Sequence, residues 1–150
     1  NISIYFSNNK NEFYSLNLVN GNINWMQKIN SSIRSTLIQN LIFSITEEGF
    51  FVVTEKLSGE IIRITDIFEE FTTDFILEGV LRTSMKPTGF IVGEEKIYLT
   101  TDNGKLLVID ISTGKLIKVL KIDNKKNISR PFASNQNLFI VKEDAIIKLK

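Results

Sequence analysis

Short apolar runs and polar corners alternate along the whole chain. The stretches KIYLTT and KLLVIDI are rich in β-branched and aromatic residues, and the sequence DNG separates them. Two such runs around a corner of this kind are typical of a β-hairpin. The second strand is apolar in a continuous run, Leu106 to Ile109, rather than in alternation. Strands of that kind are covered on both faces, so the pattern predicts small antiparallel sheets stacked face to face.

The same hairpin occurs three times in a common register. One ungapped shift places Gly21 on Gly59, and a second places Gly59 on Gly114. Self-similarity of this kind is the sequence signature of repeat architectures. The closing stretch NLFIVKEDAIIKLK is a fourth, partial copy, in which Leu138 takes the place of Ile97. Each glycine follows a polar corner where the chain needs a positive φ, which glycine adopts without steric penalty.

A further short strand precedes each of the later hairpins, in RSTLIQ, KPTGFIV and SRPFAS. Four strands at a period of about 40 residues are the signature of a β-propeller blade. The sequence therefore predicts an all-β fold, a β-propeller of four-stranded antiparallel blades, of which this chain supplies three to four. A tandem β-sandwich is the alternative. The predicted units are 1–29, 33–72, 86–122 and 128–150, with an insertion at 65–85.

The amino-acid composition excludes several kinds of functional site. The chain has no Cys and no His, which excludes thiolate metal sites, thiol nucleophiles and the usual general base. Its net charge of +1 offers no field for nucleic acid or anionic lipid. The carboxylates lie mainly in predicted hairpin turns, such as Glu47, Asp102 and Glu143. The residues therefore predict no enzyme activity, no cofactor and no metal.

The stretch SLNLVNGNINW resembles the tryptophan-docking motif of the PQQ-like propeller family, A-x-D-x-x-T-G-x-x-x-W. Gly21 and Trp25 match outright, with Asn17 at the Asp place. The third hairpin keeps Asp110 and Gly114, and the second keeps only the glycine, Gly59. Lys118 and Arg63 stand where those two copies would carry Trp. The resemblance implies that Trp25 docks onto the neighbouring blade; the alternative is an outer-strand residue that covers apolar surface.

Two functional classes of this family are relevant. Quinoprotein dehydrogenases hold PQQ and calcium with carboxylates and often a pair of adjacent Cys, whereas scaffold members lack cofactor chemistry. The composition fits the scaffolds, among which are the propeller lipoproteins of outer-membrane β-barrel assembly. The resemblance thus implies a periplasmic scaffold, anchored to the outer membrane through a segment outside these residues. Its partners would be barrel-assembly components and the remaining blades of the same propeller. A quinoprotein fragment and a sensor ectodomain are the alternatives.

The extra length between the second and third hairpins lies at 65–85. Asp66 and Glu69 have the form of a capping box, which predicts one or two helical turns at 67–72, with a prolonged outer strand as the alternative. An insertion on a rigid repeat scaffold is a place where partners bind. Core packing is the competing interpretation of its apolar side chains. The predicted partner-binding residues are Ile67, Phe68, Phe71 and Phe75.

Overall fold

The computed structural model of the chain describes residues 2–8, 10–69, 85–123, 128–143 and 145–149. Within these ranges the chain forms strands in four antiparallel sheets of three or four strands, which confirms the predicted all-β fold with blade-like sheets. The same ranges contain no helix that is long and apolar enough to cross a membrane. The chain divides into two compact units, 1–64 and 65–150.

The first two sheets follow directly from the first two hairpins. The first sheet has the order β1-β2-β3, with strands Ser3–Ser7, Glu12–Asn17 and Ile23–Lys28. The second has the order β4-β5-β6-β7, with strands Thr36–Ile38, Leu41–Ile45, Phe50–Glu55 and Ile61–Asp66. The short strand predicted ahead of the second hairpin is β4.

The third and fourth sheets repeat the plan. The third contains β8 to β11 in sequence order, at Pro87–Gly93, Lys96–Thr101, Lys105–Asp110 and Leu116–Lys121. The fourth contains β12 to β14, at Phe132–Ser134, Asn137–Lys142 and Ala145–Leu149. Leu138 pairs with Leu149 as Ile97 pairs with Ile109, so the fourth hairpin has the predicted register.

The core of unit 1 lies between its two sheets. Strand side chains alternate between faces, and the pairs Tyr5–Ser15 and Ser15–Trp25 put Tyr5 and Trp25 on the same face of the first sheet. That face packs on Ile42 and Val52 of the second sheet, which are 0% and 3% exposed. Burying side chains of this size stabilises a fold by about 1.5–3 kcal/mol each.

The core of unit 2 has the same layout. Leu106 of the third sheet and Ile140 of the fourth are buried together with Ile128, and Leu138 and Leu149 pack beside them. One face of the fourth sheet is thus used against the third sheet.

The insertion begins where β7 ends. Asp66 closes the strand, and its Oδ1 accepts a hydrogen bond from the Phe68 amide at 2.9 Å. An Asp that caps the amide two residues later is the contact expected at a helix start or an Asx turn. Ile67 and Phe68 themselves form a turn. The rest of the predicted helical segment, 70–72, lies outside the described residues.

Candidate functional site

Trp25 connects the first sheet to the second through its indole ring. Its Nε1 donates a hydrogen bond to the carbonyl of Lys56 at 3.0 Å, and the ring packs over Gly59. The rings of Tyr5 and Phe13 hold it from its own sheet, with centroids at 5.9 and 5.8 Å. The side chain is 8% exposed. Trp25 therefore fixes how the first sheet packs on the turn between β6 and β7 of the second sheet.

Gly59 is required at this contact for two separate reasons. Its φ is +76°, in the left-handed region that favours glycine. A Cβ built on Gly59 would also lie 2.5 Å from Cδ2 of Trp25, far inside van der Waals contact. Gly21 has nearly the same φ of +73°, but a Cβ there would meet nothing within 4 Å. The two equivalent corners thus differ in whether an indole docks on them.

Two further side chains secure the same corner. Gln27 Nε2 donates to the carbonyl of Gly59 at 2.7 Å, and the Tyr5 hydroxyl donates to the carbonyl of Lys56 at 3.4 Å. The repeat and motif patterns of the sequence do not point to either residue. A signal existed for Gln27, because it follows Trp25 by two positions and so points to the same face of the strand.

The three glycine corners share one hydrogen-bond plan. The amides of Gly21, Gly59 and Gly114 donate to the carbonyls of Asn17, Glu55 and Asp110 at 2.9, 2.9 and 2.8 Å. All three glycines have positive φ, as the sequence predicts. The departures from the motif therefore leave the backbone of the corner unchanged.

The side chain that opens each corner caps it. Asn17 Oδ1 accepts from the Val19 amide at 2.8 Å. Glu55 Oε2 accepts from the Leu57 and Ser58 amides, and Asp110 Oδ1 accepts from the Thr113 amide at 2.8 Å and from two hydroxyls. Donation by Ser112 and Thr113 lowers the pKa of Asp110 to about 2, and donation by Ser58 lowers the pKa of Glu55.

The substitution Asp110→Asn tests this cap through the pH dependence of the protein's stability. A carboxylate whose pKa is lowered in the folded state stabilises that state above its unfolded pKa of 3.8, and the contribution is lost as the pH falls towards about 2. Asn17 shows that an uncharged side chain also caps the corner. We therefore expect the variant to fold and to lose less stability between pH 4 and pH 2 than the parent. Urea midpoints measured across this range check it, and equal losses in the two proteins would contradict it.

Outside the corners, Glu12 is a carboxylate with several hydrogen-bond donors around it. It accepts from Lys28 Nζ at 2.8 Å, from the Tyr14 hydroxyl at 2.7 Å and from Asn8 Nδ2 at 2.8 Å. The bond from Lys28 is the largest cause that lowers the pKa of Glu12 to about 2. A general acid needs the opposite shift. Within the described ranges, no group of three His, Cys, Asp or Glu residues could hold a metal ion.

A shallow apolar groove of about 420 Å³ lies on unit 1. Its lining is largely apolar and includes Phe50, Val52, Ile61 and Ile64, and Lys28 adds a charge to it. Ile64 is 58% exposed. Apolar grooves with a charged rim are the kind of surface that binds a protein side chain.

The predicted partner-binding residues are not gathered on this surface. Ile67 and Phe68 are 1% and 0% exposed, so both side chains lie in the interior, and the structure corrects the prediction that they face a partner. Apolar residues at helical spacing suit a core as well as a surface, and here the core interpretation holds. Phe71 and Phe75 lie outside the described residues, and their role stays a prediction.

The chain is similar to known proteins at the level of structure. No family model and no curated protein matches the sequence. BamB from Moraxella catarrhalis, a PQQ-like β-propeller, matches 97% of this chain with a TM-score of 0.69 and 12% identity. The β-propeller domain of Cps50 (Swd1) from Myceliophteria thermophila matches 97% with a TM-score of 0.67 and 11% identity. The computationally designed Ika4 protein matches 98% with a TM-score of 0.70 and 10% identity.

Coverage differs among these structures. The chain spans 39% of the BamB chain and 47% of the Cps50 chain, against 84% of the Ika4 chain. The chain is thus similar in structure to two natural propellers over nearly its whole length. At sequence identities this low, the similarity shows the fold alone. Together with the repeated sheets and the glycine corners, this identifies the chain as β-propeller in fold, similar to the PQQ-like propeller BamB.

Proposed function

We propose that the protein is a non-catalytic β-propeller scaffold for protein–protein interaction. The observation that carries the proposal is the use of its carboxylates. Glu12, Glu55 and Asp110 have lowered pKa values because each accepts hydrogen bonds from neighbouring groups of its own hairpin or corner. Carboxylates that are held ionised in this way suit the fixing of turns better than proton transfer. Rigid stacked sheets with apolar side chains at their surface suit the binding of other proteins instead.

The finer proposal is a role in outer-membrane protein assembly in the periplasm. It rests on the tryptophan-docking motif around Trp25 and on the likeness in fold to BamB. The partners in this proposal are components of the outer-membrane β-barrel assembly machinery. The insertion at 65–85 remains the proposed contact region, now through Phe71 and Phe75 rather than through the buried Ile67 and Phe68.

Serine substitution of Phe71 and Phe75 tests the contact region. We expect the double variant Phe71→Ser/Phe75→Ser to bind purified periplasmic barrel-assembly proteins about tenfold or more weakly, since aromatic anchors dominate interface energies. Its urea midpoint should stay at that of the parent. Biolayer interferometry and urea unfolding measure the two quantities. Phe68→Ser is the matched control, because that buried side chain should change the midpoint strongly.

Two results would contradict the proposal. Loss of folding in the Phe71→Ser/Phe75→Ser variant would place those rings in the core. Absorbance changes on addition of PQQ and calcium would favour a quinoprotein instead. A parent chain that binds no assembly protein, with PQQ also unbound, would remove the periplasmic role and leave the fold assignment intact.

A further inference from the structure

The chain contains two Asn-Gly pairs, and both lie in hairpin turns. Asn20 and Gly21 stand in the corner between β2 and β3, and Asn103 and Gly104 stand in the turn between β9 and β10. In such a pair the glycine nitrogen can attack the side-chain amide carbon of the asparagine, because glycine has no side chain that obstructs the approach. The two pairs have the same sequence but different surroundings.

The first corner holds the side-chain amide of Asn20 over the following glycine. Asn20 Oδ1 accepts a hydrogen bond from the Asn22 amide at 3.0 Å, so the side chain bends past Gly21 to the residue beyond it. In the other two corners the hydroxyls of Ser58 and Thr113 accept from the amide two residues later, at 3.1 and 3.2 Å. Of these three corners, the first alone has an electrophilic amide carbon at this position.

The exposure of Asn20 does not depend on what precedes the first sheet. Ser58 and Thr113, at the same position in the other corners, are exposed as Asn20 is. Ser58 is exposed although the Trp25 ring packs over the neighbouring Gly59. A sheet docked on the first corner in the same way would therefore leave Asn20 open to water and base.

The first corner also favours the attack itself. The Asn22 amide stabilises the negative charge that develops on Oδ1 of Asn20 when the carbonyl carbon becomes tetrahedral, as an oxyanion hole does. Gly21 has room to move, since a Cβ built on it meets nothing within 4 Å. Its N–H donates to the Asn17 carbonyl at 2.9 Å, so this bond must open locally before the nitrogen can lose its proton.

The surroundings of Asn103 oppose the same reaction. Its Oδ1 accepts from the Thr101 hydroxyl at 2.8 Å, which ties the side chain back towards the preceding strand. The Gly104 carbonyl accepts from the Ile122 and Asp123 amides, both at 2.9 Å. A Cβ on Gly104 would lie 2.8 Å from the Asp123 carbonyl oxygen. Gly104 therefore cannot turn its nitrogen towards the side chain without breaking these contacts.

We propose that Asn20 is a site of spontaneous deamidation and that Asn103 is protected from it. The Gly21 nitrogen, once it has lost its proton to hydroxide, forms a bond to Cγ of Asn20. The Cγ–Nδ2 bond then breaks, and the amide nitrogen leaves as ammonia with a proton taken from water. Water adds to either carbonyl of the resulting succinimide ring and opens it to an aspartyl or isoaspartyl residue.

The product changes the chemistry of the corner. It carries a negative charge at position 20, where the other two corners have the hydroxyls of Ser58 and Thr113. The isoaspartyl form also has an additional main-chain carbon between positions 20 and 21. The modification is independent of any role in partner binding.

Peptide mapping of the folded protein after incubation at mildly alkaline pH tests the proposal. Trypsin separates the two sites, because Asn20 lies in the peptide 11–28 and Asn103 in the peptide 97–105. We expect the exchange of an amide NH₂ for a hydroxyl to be about tenfold or more faster at position 20, since structure that must open slows a reaction. Fragmentation assigns the change within the peptide 11–28. In urea, where neither turn persists, the two pairs should react at similar rates.

Two variants form a matched pair for the same experiment. Asn20→Thr installs the residue that stands at this position in the third corner, Thr113, so it should fold and should lose most of the isoaspartyl product. Asn103→Ser should leave the amount of that product nearly unchanged. Labelling with an isoaspartyl methyltransferase measures it.

Three results would overturn the proposal. The first is a folded protein in which position 20 does not react, and the second is one in which position 103 reacts as fast or faster. The third is the same ratio of rates in urea as in the folded protein, because the preference would then come from neighbouring residues in the sequence and not from the structure.

Discussion

Gly59→Ala is expected to destabilise the protein by about 2–5 kcal/mol. A left-handed backbone costs a residue with a Cβ about 1–2 kcal/mol. The new methyl group would also lie 2.5 Å from the Trp25 ring, and overpacking of this kind costs about 1–3 kcal/mol more. The ring cannot retreat freely, because Tyr5 and Phe13 hold it from behind. The free energy of unfolding from urea titration measures the loss.

Gly21→Ala is the matched control for Gly59→Ala. It stands in the equivalent corner with a φ of +73°, but with open space where the methyl group would go. Only the backbone cost of about 1–2 kcal/mol should appear there. If both substitutions destabilise the protein equally, the docking of the indole on Gly59 contributes nothing that the corner does not already require.

Trp25→Ala should cost about 3–5 kcal/mol, as large-to-small changes in a core do. The variant loses the ring that packs between Phe13 and the second sheet, and it leaves the Lys56 carbonyl without its indole donor. Trp25→Phe should cost less, because an aromatic ring remains and about 1–2 kcal/mol of hydrogen bonding is lost. Urea unfolding followed by circular dichroism measures both.

The two substitutions should not be additive. Without the indole, the methyl group that Gly59→Ala introduces has nothing to meet, so this substitution in a Trp25→Ala background should cost only what Gly21→Ala costs. The coupling energy expected from this double-mutant cycle is about 1–3 kcal/mol. Additive losses would mean that the ring and the glycine act separately, and that the motif does not couple the two sheets.

Much of the fold could be predicted from the sequence because the signals for strands and turns are local. Hairpin strands are set by short apolar runs, and the corners by residues such as Asn17 and Gly21 within one turn. The repeat multiplied each weak signal, so that even the fourth hairpin, which lacks a motif, was placed in register. The strand before each later hairpin followed from the same period.

The candidate site was less predictable from the sequence, since its residues are distant from one another along the chain. Gln27 reaches Gly59 from 32 positions away, and the alternation of β3 gives its side of the strand but not its target. Ile67 and Phe68 have a pattern that fits a core and a contact surface equally well. Their burial depends on contacts with other elements, which no local spacing encodes.

The sequence by itself determined the strands, the glycine corners and their repetition, because backbone preference and side-chain alternation act over a few residues. Only the tertiary structure decided that the Trp25 ring packs on Gly59 while no side chain packs on Gly21. It also decided that Ile42 is buried while Ile4 is exposed. Equivalent positions in a repeat have the same local chemistry, but each acquires its burial from the sheet that lies against it.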